Sequence, residues 1–387
     1  MATIRSIKSL TLDLPPSCIE FWPEKPSYAV IGTYNLQESV SSQDTGAEQV
    51  LDETATEEPQ KRNGSLVLVC IDGDDVTIVD THQTESAILD LHFWPLRSPG
   101  ITFSSATFLA ATSTGSLEYY RIVLDSSSTP KYSISHLETI QVFAKDDVVT
   151  SFAIHPVKDF CILCTLQTGE VHLYDFRPES RTGPNNEVKE IQKHKFDAWT
   201  AAFGQSGLTT YTGGDDCALK RGRLPANPYA LFDQDADLDE LSQWSDNKIH
   251  TAGVTAILPL ILMADVDLDL IVTGSYDDHI RLLGTSGAGH RSVLAELKLG
   301  GGVWRLKLLD RTFPQTITIL ASCMHAGTRI VKLIKDGDNW RFEVVAKFEE
   351  HKSMNYATDC QPDTISWDKR TFLSTSFYDK LLCLWRH

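Results

Sequence analysis

The chain has 387 residues and a net charge of −17. This negative charge opposes binding to phosphate backbones, so we expect no nucleic-acid ligand, and it favours a cationic partner. The amino terminus lacks a signal-type apolar segment, and the longest apolar run, Val254 to Met263, is about half a membrane span and contains Pro259. We therefore expect no stable membrane insertion, and the scattered cysteines favour the cytoplasm.

Two of the eight cysteines, Cys161 and Cys164, have the C-x-x-C spacing that is found in zinc sites. They lie in the apolar run from Phe160 to Thr165, with no second cysteine pair beside them. We predict that both thiols are buried in a strand and that the chain holds no metal.

Short apolar or β-branched runs alternate with tight turns along the chain, and no long stretch has helical spacing. One turn pattern recurs seven times, with steps of 51, 54, 48, 61, 48 and 53 residues: Asn63-Gly-Ser-Leu, Thr114-Gly-Ser-Leu, Thr168-Gly-Glu-Val, Asp216-Cys-Ala-Leu, Asp277-Asp-His-Ile, His325-Ala-Gly-Thr and Tyr378-Asp-Lys-Leu. Seven such units, each with four short strands, are typical of a β-propeller. The unit around Thr273 to Leu283 fits the WD-repeat pattern best. We predict an all-β fold in which residues 1–387 form one closed, seven-bladed WD-repeat propeller.

The ring must close, because an open last blade would leave a bare strand edge. The chain ends at the third strand of the seventh unit, Leu381 to Trp385, so the alternating segment Ile4 to Leu12 is predicted to supply the outer strand of that blade. Two acidic segments interrupt the repeat. We predict that residues 37–62 form a disordered loop inserted in blade 1, and that residues 233–246 form an acidic loop between blades 4 and 5.

WD repeats commonly tie each blade with a histidine before the first strand and an aspartate in the aligned turn. Two pairs in this sequence fit the pattern: His194 with Asp216, and His250 with Asp277. A structural role is the simpler interpretation of all four residues.

Blades 6 and 7 depart from this pattern. His325 occupies the turn position of the aspartate in blade 6, where the run Gly300 to Gly302 replaces the usual histidine. Blade 7 has His351, but Tyr378 occupies the aspartate position. Histidines without their usual partner could serve as general bases, although a satisfied structural histidine is the commoner outcome. The usual hydrolase, zinc-protease and nucleotide-binding motifs do not occur in the sequence.

Several segments resemble one family. They are Asp197-Ala-Trp199, Gly213-Gly-Asp-Asp216, Gly274-Ser-Tyr-Asp-Asp-His-Ile-Arg281, Gly300-Gly-Gly-Val-Trp-Arg-Leu-Lys307, Cys323-Met-His325 and His351-Lys-Ser-Met-Asn-Tyr356. These segments are similar to those of the diphthine methylesterase family, the WD-repeat proteins of the diphthamide pathway, in their fungal form. The resemblance is specific in blades 4 to 7 and generic in blades 1 to 3.

The resemblance implies a carboxylic ester hydrolase. Its substrate would be translation elongation factor 2, from whose modified histidine it would remove a methyl ester, releasing methanol and freeing the carboxylate for amidation to diphthamide. No cofactor is implied, and we expect a monomer. The alternative is a non-catalytic WD-repeat scaffold, because most propellers of this type are binding platforms.

The substrate of this family carries a trimethylammonium group, which aromatic faces and nearby carboxylates bind. Six residues in or beside the matched segments are candidates for this contact, and ordinary packing is the alternative for each aromatic ring. They are Trp199, Tyr276, Asp277, Asp278, Trp304 and Tyr356.

Ester cleavage needs a proton acceptor and a group that stabilises the oxyanion. We assign His325 or His351 as the general base acting on water, with Asp359 orienting one of them. Arg305, or the backbone of the glycine run 300–302, is the candidate oxyanion donor. Cys323 is an alternative nucleophile, although burial in a strand is the simpler expectation. The sequence leaves open whether water or a side chain attacks.

Overall fold

A computed structural model describes residues 1–36, 61–94, 106–125, 131–177, 188–233, 241–260, 269–312, 316–362 and 370–387. Within these ranges, strands numbered in chain order form seven sheets arranged as blades around a channel. The predicted seven-bladed propeller is confirmed.

Each blade contributes four antiparallel strands, from the channel outward. The inner strands of blades 1 to 7 are β3 (Pro16–Phe21), β8 (Ile88–Phe93), β12 (Val149–Ile154), β16 (Ala198–Phe203), β20 (Val254–Leu260), β24 (Arg305–Thr312) and β28 (Thr358–Cys360). The second strands are β4 (Tyr28–Thr33), β9 (Thr107–Thr112), β13 (Cys161–Leu166), β17 (Thr209–Gly214), β21 (Asp269–Ser275), β25 (Thr316–Ser322) and β29 (Thr371–Ser376).

The third strands are β6 (Arg62–Asp72), β10 (Ser116–Asp125), β14 (Glu170–Asp175), β18 (Leu219–Arg223), β22 (His279–Thr285), β26 (Thr328–Asp336) and β30 (Leu381–Arg386). The outer strands are β7 (Asp75–Thr84), β11 (Lys131–Gln141), β15 (Val188–Lys193), β19 (Ser242–Asp246), β23 (Arg291–Lys298), β27 (Asn339–Phe348) and, in blade 7, β2 (Lys8–Thr11). Two short strands, β1 (Ala2–Ile4) and β5 (Asn35–Leu36), and a 3₁₀ helix, Pro228–Phe232, complete the described elements. In the part of the chain that the structure describes, no helix has the length and hydropathy needed to cross a bilayer.

The amino-terminal strand completes the last blade, as predicted. Residues Lys8–Thr11 pair antiparallel with Leu381–Leu384 of β30. The sequence did not predict β1, which pairs in parallel with Ala346–Phe348 at the edge of blade 6. Glu350 fixes the crossing between these strands, because its carboxylate accepts hydrogen bonds from the backbone N–H of Ser6, at 2.9 Å, and from the Ser6 hydroxyl. The amino terminus therefore joins blade 6 to blade 7.

Deleting residues 1–11 is expected to lower the free energy of unfolding by more than about 2 kcal/mol, because the loss of one packed leucine alone costs that much. The deletion removes Leu10, which packs against the cluster between blades 7 and 1, and it exposes two strand edges. Urea denaturation of the full chain, the 1–11 deletion and a 1–5 deletion would measure this, with the smaller deletion falling between the other two. Equal midpoints for all three would contradict the clasp.

Seven clusters of buried apolar side chains fill the seven interfaces between adjacent blades. The second strands serve two clusters at once: Cys161 and Leu163 pack toward blade 4, whereas Ile162 and Cys164 pack toward blade 2. The prediction that Cys161 and Cys164 are buried in a strand is therefore confirmed, and both are free thiols. A cluster between blades 7 and 1 shows that the ring is closed.

The two predicted acidic loops have different outcomes. Residues 37–60 lie outside the described residues, and Arg62 begins β6. The prediction for residues 233–246 is wrong at its carboxyl end, because Ser242–Asp246 forms the outer strand of blade 4. Trp244 anchors that strand, since its ring is buried between blades 4 and 5 and its Nε1 donates a hydrogen bond to the Ser286 carbonyl oxygen at 3.0 Å. Residues 234–240 lie outside the described residues.

Candidate functional site

The upper face of the ring carries the turns between second and third strands and the upper ends of the inner strands. In blades 1 to 5, a register shift after the first residue of the inner strand places one extra residue there. In blade 3 this residue is Thr150, whose hydroxyl donates a hydrogen bond to the Ala198 carbonyl oxygen of blade 4 at 2.5 Å. In blade 5 it is Thr255, whose hydroxyl donates to the Val303 carbonyl oxygen of blade 6 at 2.5 Å. In blade 4 it is Trp199. The bulge that holds a small hydroxyl residue in blades 1, 3 and 5 therefore carries an indole at the channel mouth in blade 4.

The structure brings together the four aromatic residues that the sequence singled out. The ring centroid of Trp304 lies 5.4 Å from that of Trp199, 5.8 Å from Tyr276 and 5.0 Å from Tyr356. These rings come from blades 4 to 7, and all four are partly exposed. Trp304 is the hub, because it contacts each of the other three.

The cluster extends further than the sequence indicated. Tyr356 contacts Phe377 at 5.4 Å, and Phe377 contacts Tyr34 of blade 1 at 6.2 Å. We call the six residues Trp199, Tyr276, Trp304, Tyr356, Phe377 and Tyr34 the aromatic arc. Tyr34 and Phe377 could not be found from spacing alone, because neither lies in a segment matched to the family.

Two carboxylates lie at the blade 4 end of the aromatic arc. Asp215 Oδ1 accepts a hydrogen bond from Trp199 Nε1 at 2.5 Å, and the Asp215 backbone N–H donates to the Asp197 carbonyl oxygen at 2.9 Å. Burial, together with the charge of Asp215, raises the pKa of Asp197. Burial and the same two aspartates also raise the pKa of the Tyr276 phenol. Both aspartates lie in segments that resemble the family, but their sequence positions gave no sign that they belong to the site.

Two glycines allow this close packing. A Cβ atom on Gly253 would lie 2.6 Å from Asp215 Oδ1 and 2.9 Å from Tyr276 Cδ2. A Cβ atom on Gly302 would lie 2.6 Å from Met324 Sδ. A larger residue at position 253 would displace the Asp215 carboxylate or the Tyr276 ring, and one at position 302 would displace the Met324 thioether. The contact with Met324 explains why the last residue of the run Gly300 to Gly302 is a glycine.

Asp277 and Asp278 do not line the arc, and the prediction for them is wrong. Asp277 is nearly buried and accepts hydrogen bonds from the Thr251 backbone N–H, at 3.0 Å, and from Arg281. Although burial opposes ionisation, these bonds lower its pKa to about 2. Asp278 faces the outer strand of its own blade, 3.5 Å from Lys298 Nζ. Both carboxylates are therefore engaged within blade 5.

The predicted histidine–aspartate ties hold in one blade of two. His194 Nδ1 lies 2.8 Å from Asp216 Oδ1, which confirms the first pair. His250 instead contacts Thr273 Oγ1 through Nε2, at 2.9 Å, and its Nδ1 has no hydrogen-bond partner among the described residues. The second pair is wrong, because Asp277 is taken up by the contacts already described.

His351 has a partner, contrary to the prediction. Its Nε2 lies 2.8 Å from Ser374 Oγ, which also accepts a hydrogen bond from Trp385 Nε1 at 2.9 Å. Burial in the sheet lowers its pKa to about 4. A neutral imidazole enclosed in blade 7 has a structural role, so it is not available as a base at the channel mouth.

Replacing His351 with alanine is expected to lower the free energy of unfolding by about 1–3 kcal/mol, because Ser374 loses a buried partner. Since the folded pKa lies below the usual 6.5, the wild-type histidine destabilises the fold as the pH falls from 6.5 toward about 4, and the variant should lack this contribution. Urea denaturation at pH 7.5 and 5 would measure both effects. His325→Ala is the control, and an equal loss of stability in that variant would contradict this account.

His325 and Asp359 are not brought together. His325 is exposed in the turn after β25, next to Met324, which lies beside the Gly302 backbone. Asp359 is buried in the channel wall, where Oδ2 accepts a hydrogen bond from the Phe21 backbone N–H at 2.8 Å and Oδ1 pairs with Lys307 Nζ. The prediction that Asp359 orients His325 or His351 is therefore wrong, and His325 remains a prediction as a base.

Cys323 is fully buried at the end of β25, and its thiol donates to the Ala321 carbonyl oxygen. Burial raises its pKa to about 12. A thiol of this kind is a poor nucleophile near neutral pH, so the expectation of burial is confirmed.

Below Trp199 and Trp304 the channel opens into a cavity of about 420 Å³. Its wall is asymmetric. Blades 3 to 5 supply mainly small or apolar side chains, whereas the charged residues come from blades 1, 2 and 6. The small residues include Ser151, Ala153, Thr200, Ala202 and Ala256; the charged residues are Glu20, Asp90, His92 and Arg305.

Arg305 lies in this cavity, one residue below Trp304. Its Nη1 lies 2.8 Å from Asp90 Oδ1, its Nη2 donates to the Leu89 carbonyl oxygen at 3.3 Å, and its Nε has no partner among the described residues. His92 Nδ1 lies 2.9 Å from Glu20 Oε2, and its Nε2 lies 3.4 Å from Asp90 Oδ2. Glu20, Asp90 and His92 were not predicted, because they belong to blades 1 and 2, where the sequence shows only generic repeat character.

Comparisons with known proteins bear on this arrangement. No protein-family model matches the chain. The chain is 26% identical to a Saccharomyces cerevisiae protein named diphthine methyltransferase, over 98% of this chain and 97% of the relative. A Schizosaccharomyces pombe protein of that name is 27% identical over 92% of this chain and 90% of the relative. The chain is therefore similar in sequence to proteins named diphthine methyltransferase over almost its whole length.

This similarity confirms the resemblance drawn from blades 4 to 7 and extends it along almost the whole chain. The human diphthine methyltransferase is 27% identical over 85% of this chain and 68% of the relative. Among solved structures, the WD40 propeller of Doa1 aligns with a TM-score of 0.59 at 13% identity, over 99% of this chain and 96% of that chain. Chaetomium thermophilum Sqt1, bound to the N-terminus of ribosomal protein L10, aligns with a TM-score of 0.57 at 12% identity, over 93% of this chain and 82% of that chain. At these identities, the solved structures bear on the fold alone.

Proposed function

We propose that this diphthine methyltransferase relative is a cytoplasmic, monomeric ester hydrolase of the diphthamide pathway. Its substrate is the methylated diphthine of translation elongation factor 2, and its products are methanol and the free carboxylate that is later amidated. One observation carries the proposal: aromatic rings and carboxylates converge at the mouth of an open cavity.

The aromatic arc matches the cationic end of this substrate. A quaternary ammonium has no N–H to donate, so aromatic faces and nearby negative charge provide its binding energy. Trp199, Trp304 and Tyr276 supply ring faces, and Asp197 and Asp215 supply charge beside them. The net charge of −17 would also draw a cationic loop toward the protein.

The name of the relatives describes methyl transfer, whereas the proposal is methyl ester hydrolysis. The ester and the ammonium of diphthine share one carbon atom, so a substrate held by the arc would direct its ester into the cavity. Water enters such a cavity, and its wall offers carboxylates and cationic hydrogen-bond donors, which are the groups that ester hydrolysis uses.

Mass spectrometry of elongation factor 2 carrying methylated diphthine tests the proposal. The purified protein alone should remove the mass of one methylene group and release methanol, and S-adenosylmethionine should have no effect. A gain of one methyl group that depends on S-adenosylmethionine would show a methyltransferase instead. An unchanged mass in a stable complex would show a scaffold, which is the usual role of this fold.

A further inference from the structure

We propose that the ester is cleaved inside the channel, with Glu20 as the proton acceptor and His92 as the proton donor; this rests on the proposed function. Neither residue lies in a segment matched to the family, and both face the cavity below the aromatic arc.

The pair is placed by the inner strands of neighbouring blades. Glu20 is on β3 and His92 is on β8, and their side chains meet at 2.9 Å. The Phe152 ring, 4.9 Å from the imidazole, covers one side of His92. Strand residues held between packed blades keep their geometry better than loop residues, which suits groups that must meet a reacting bond.

The cavity reaches both the rings and this pair. The same space is lined by Trp199 and Trp304 at its upper end and by Arg305, His92 and Glu20 below. Arg305 is one strand residue below Trp304, a step of about 3.3 Å. An ester attached to a carbon beside the bound ammonium would therefore reach the level of the Arg305 guanidinium.

The charges of the wall hold His92 in the form that can donate. Burial opposes the charge, but Asp90 and Glu20 raise the pKa of His92 to about 10. The other charged groups near it are Arg305 and Lys307 on β24 and Asp359 on β28. Arg305 and His92 in turn lower the pKa of Asp90 to about 2, against the effect of burial. The site therefore contains an imidazolium beside a carboxylate at neutral pH.

The reaction balances with these groups and one water. The water oxygen attacks the ester carbonyl carbon while Glu20 accepts a water proton, and the Arg305 guanidinium stabilises the oxyanion. The bond from carbonyl carbon to methoxy oxygen then breaks, and His92 donates its Nε2 proton to the departing oxygen to give methanol. The Nδ1–H of His92 stays hydrogen-bonded to Glu20. Water in the open cavity carries the proton from Glu20 to the vacant Nε2 of His92, and the carboxylic acid product loses its proton to solvent.

The rim residue His325 is the competing proton acceptor. It is exposed on a turn, and no described residue is hydrogen-bonded to its ring to fix a tautomer. The channel pair has the fixed contact that His325 lacks, and comparison of the variants distinguishes the two positions.

His92→Gln and Glu20→Gln are compared with the wild type on methylated elongation factor 2. Each is expected to lower kcat by about 100-fold or more, the usual contribution of a general acid or base, with KM changed little because the aromatic arc is intact. His136→Gln is the matched control, because His136 also contacts a glutamate, Glu118 at 2.7 Å, but lies on the outer strands of blade 2. His325→Ala compares the two positions: the channel assignment requires that this variant lower kcat less than His92→Gln and Glu20→Gln do.

The pH profile separates chemistry from folding. Wild-type kcat should fall as the pH rises toward about 10, where His92 loses its proton, and this limb should be absent in His92→Gln. Circular dichroism of the same samples shows whether each variant is folded. Substrate affinity, measured in parallel, shows whether the aromatic arc still binds. Near wild-type kcat in both channel variants, or loss of activity in His325→Ala alone, would overturn the channel assignment while leaving the hydrolase intact. A wild-type protein that releases no methanol would overturn the proposed function itself.

Discussion

Trp304→Ala is expected to weaken binding of methylated-diphthine elongation factor 2 by about 30-fold, since a desolvated cation–π contact contributes about 2 kcal/mol. Trp304 is the hub of the arc, so its removal also frees Trp199, Tyr276 and Tyr356 from their shared contact. Isothermal titration calorimetry with the wild type and the variant would measure the change.

Two further variants make this prediction specific. Trp304→Phe keeps an aromatic face and should restore most of the affinity. Trp340→Ala makes the same substitution in blade 6, but on the outer strand β27, and should leave affinity unchanged. If Trp340→Ala weakened binding as much as Trp304→Ala, the loss would come from general damage to blade 6.

The double variant Asp197→Asn with Asp215→Asn is expected to weaken binding of the same factor by about tenfold at low salt. These carboxylates supply the negative charge beside Trp199. Because salt screens this charge, the difference in affinity between the variant and the wild type should shrink as salt is added. Because burial and Asp215 raise the pKa of Asp197, wild-type affinity should fall as the pH drops, beginning above the ordinary carboxyl value of 3.8. The variant should lack this dependence.

Asp278→Asn is the matched control for the double variant. Asp278 lies on the same face, but it is paired with Lys298 on the outer strand. Titrations at two salt concentrations should show wild-type affinity for this control. An equal loss would mean that the upper face attracts the substrate by its total charge, without a defined site at Trp199.

The repeat pattern was sufficient to predict the ring, its seven blades and the strand β2 that closes it. A turn that recurs seven times is a local signal, and it reports the architecture directly. The four arc residues Trp199, Tyr276, Trp304 and Tyr356 were also found, because each lies in a short segment shared with the family. Strand β1 was missed, since parallel pairing with a different blade leaves no mark in the repeat.

The rest depended on contacts that span the ring. Ser374, the hydrogen-bond partner of His351, lies in a strand. The WD-repeat pattern predicts the partner of such a histidine only as an aspartate in the turn, so Ser374 was not predicted. The pairing of Arg305 with Asp90 joins blade 6 to blade 2, across more than half of the chain. Such pairs have no characteristic spacing, so the charged side of the channel became visible only once the ring was closed in three dimensions.

The binding of a quaternary ammonium by the aromatic arc is the claim on which the account depends. It is tested most directly by following the indole N–H signals of Trp199 and Trp304 by NMR during titration with choline and with 3,3-dimethylbutan-1-ol, in which carbon replaces the charged nitrogen. Choline is expected to shift these two signals at concentrations where the neutral analogue does not. Equal shifts with both compounds, or choline shifts confined to other tryptophans, would contradict it.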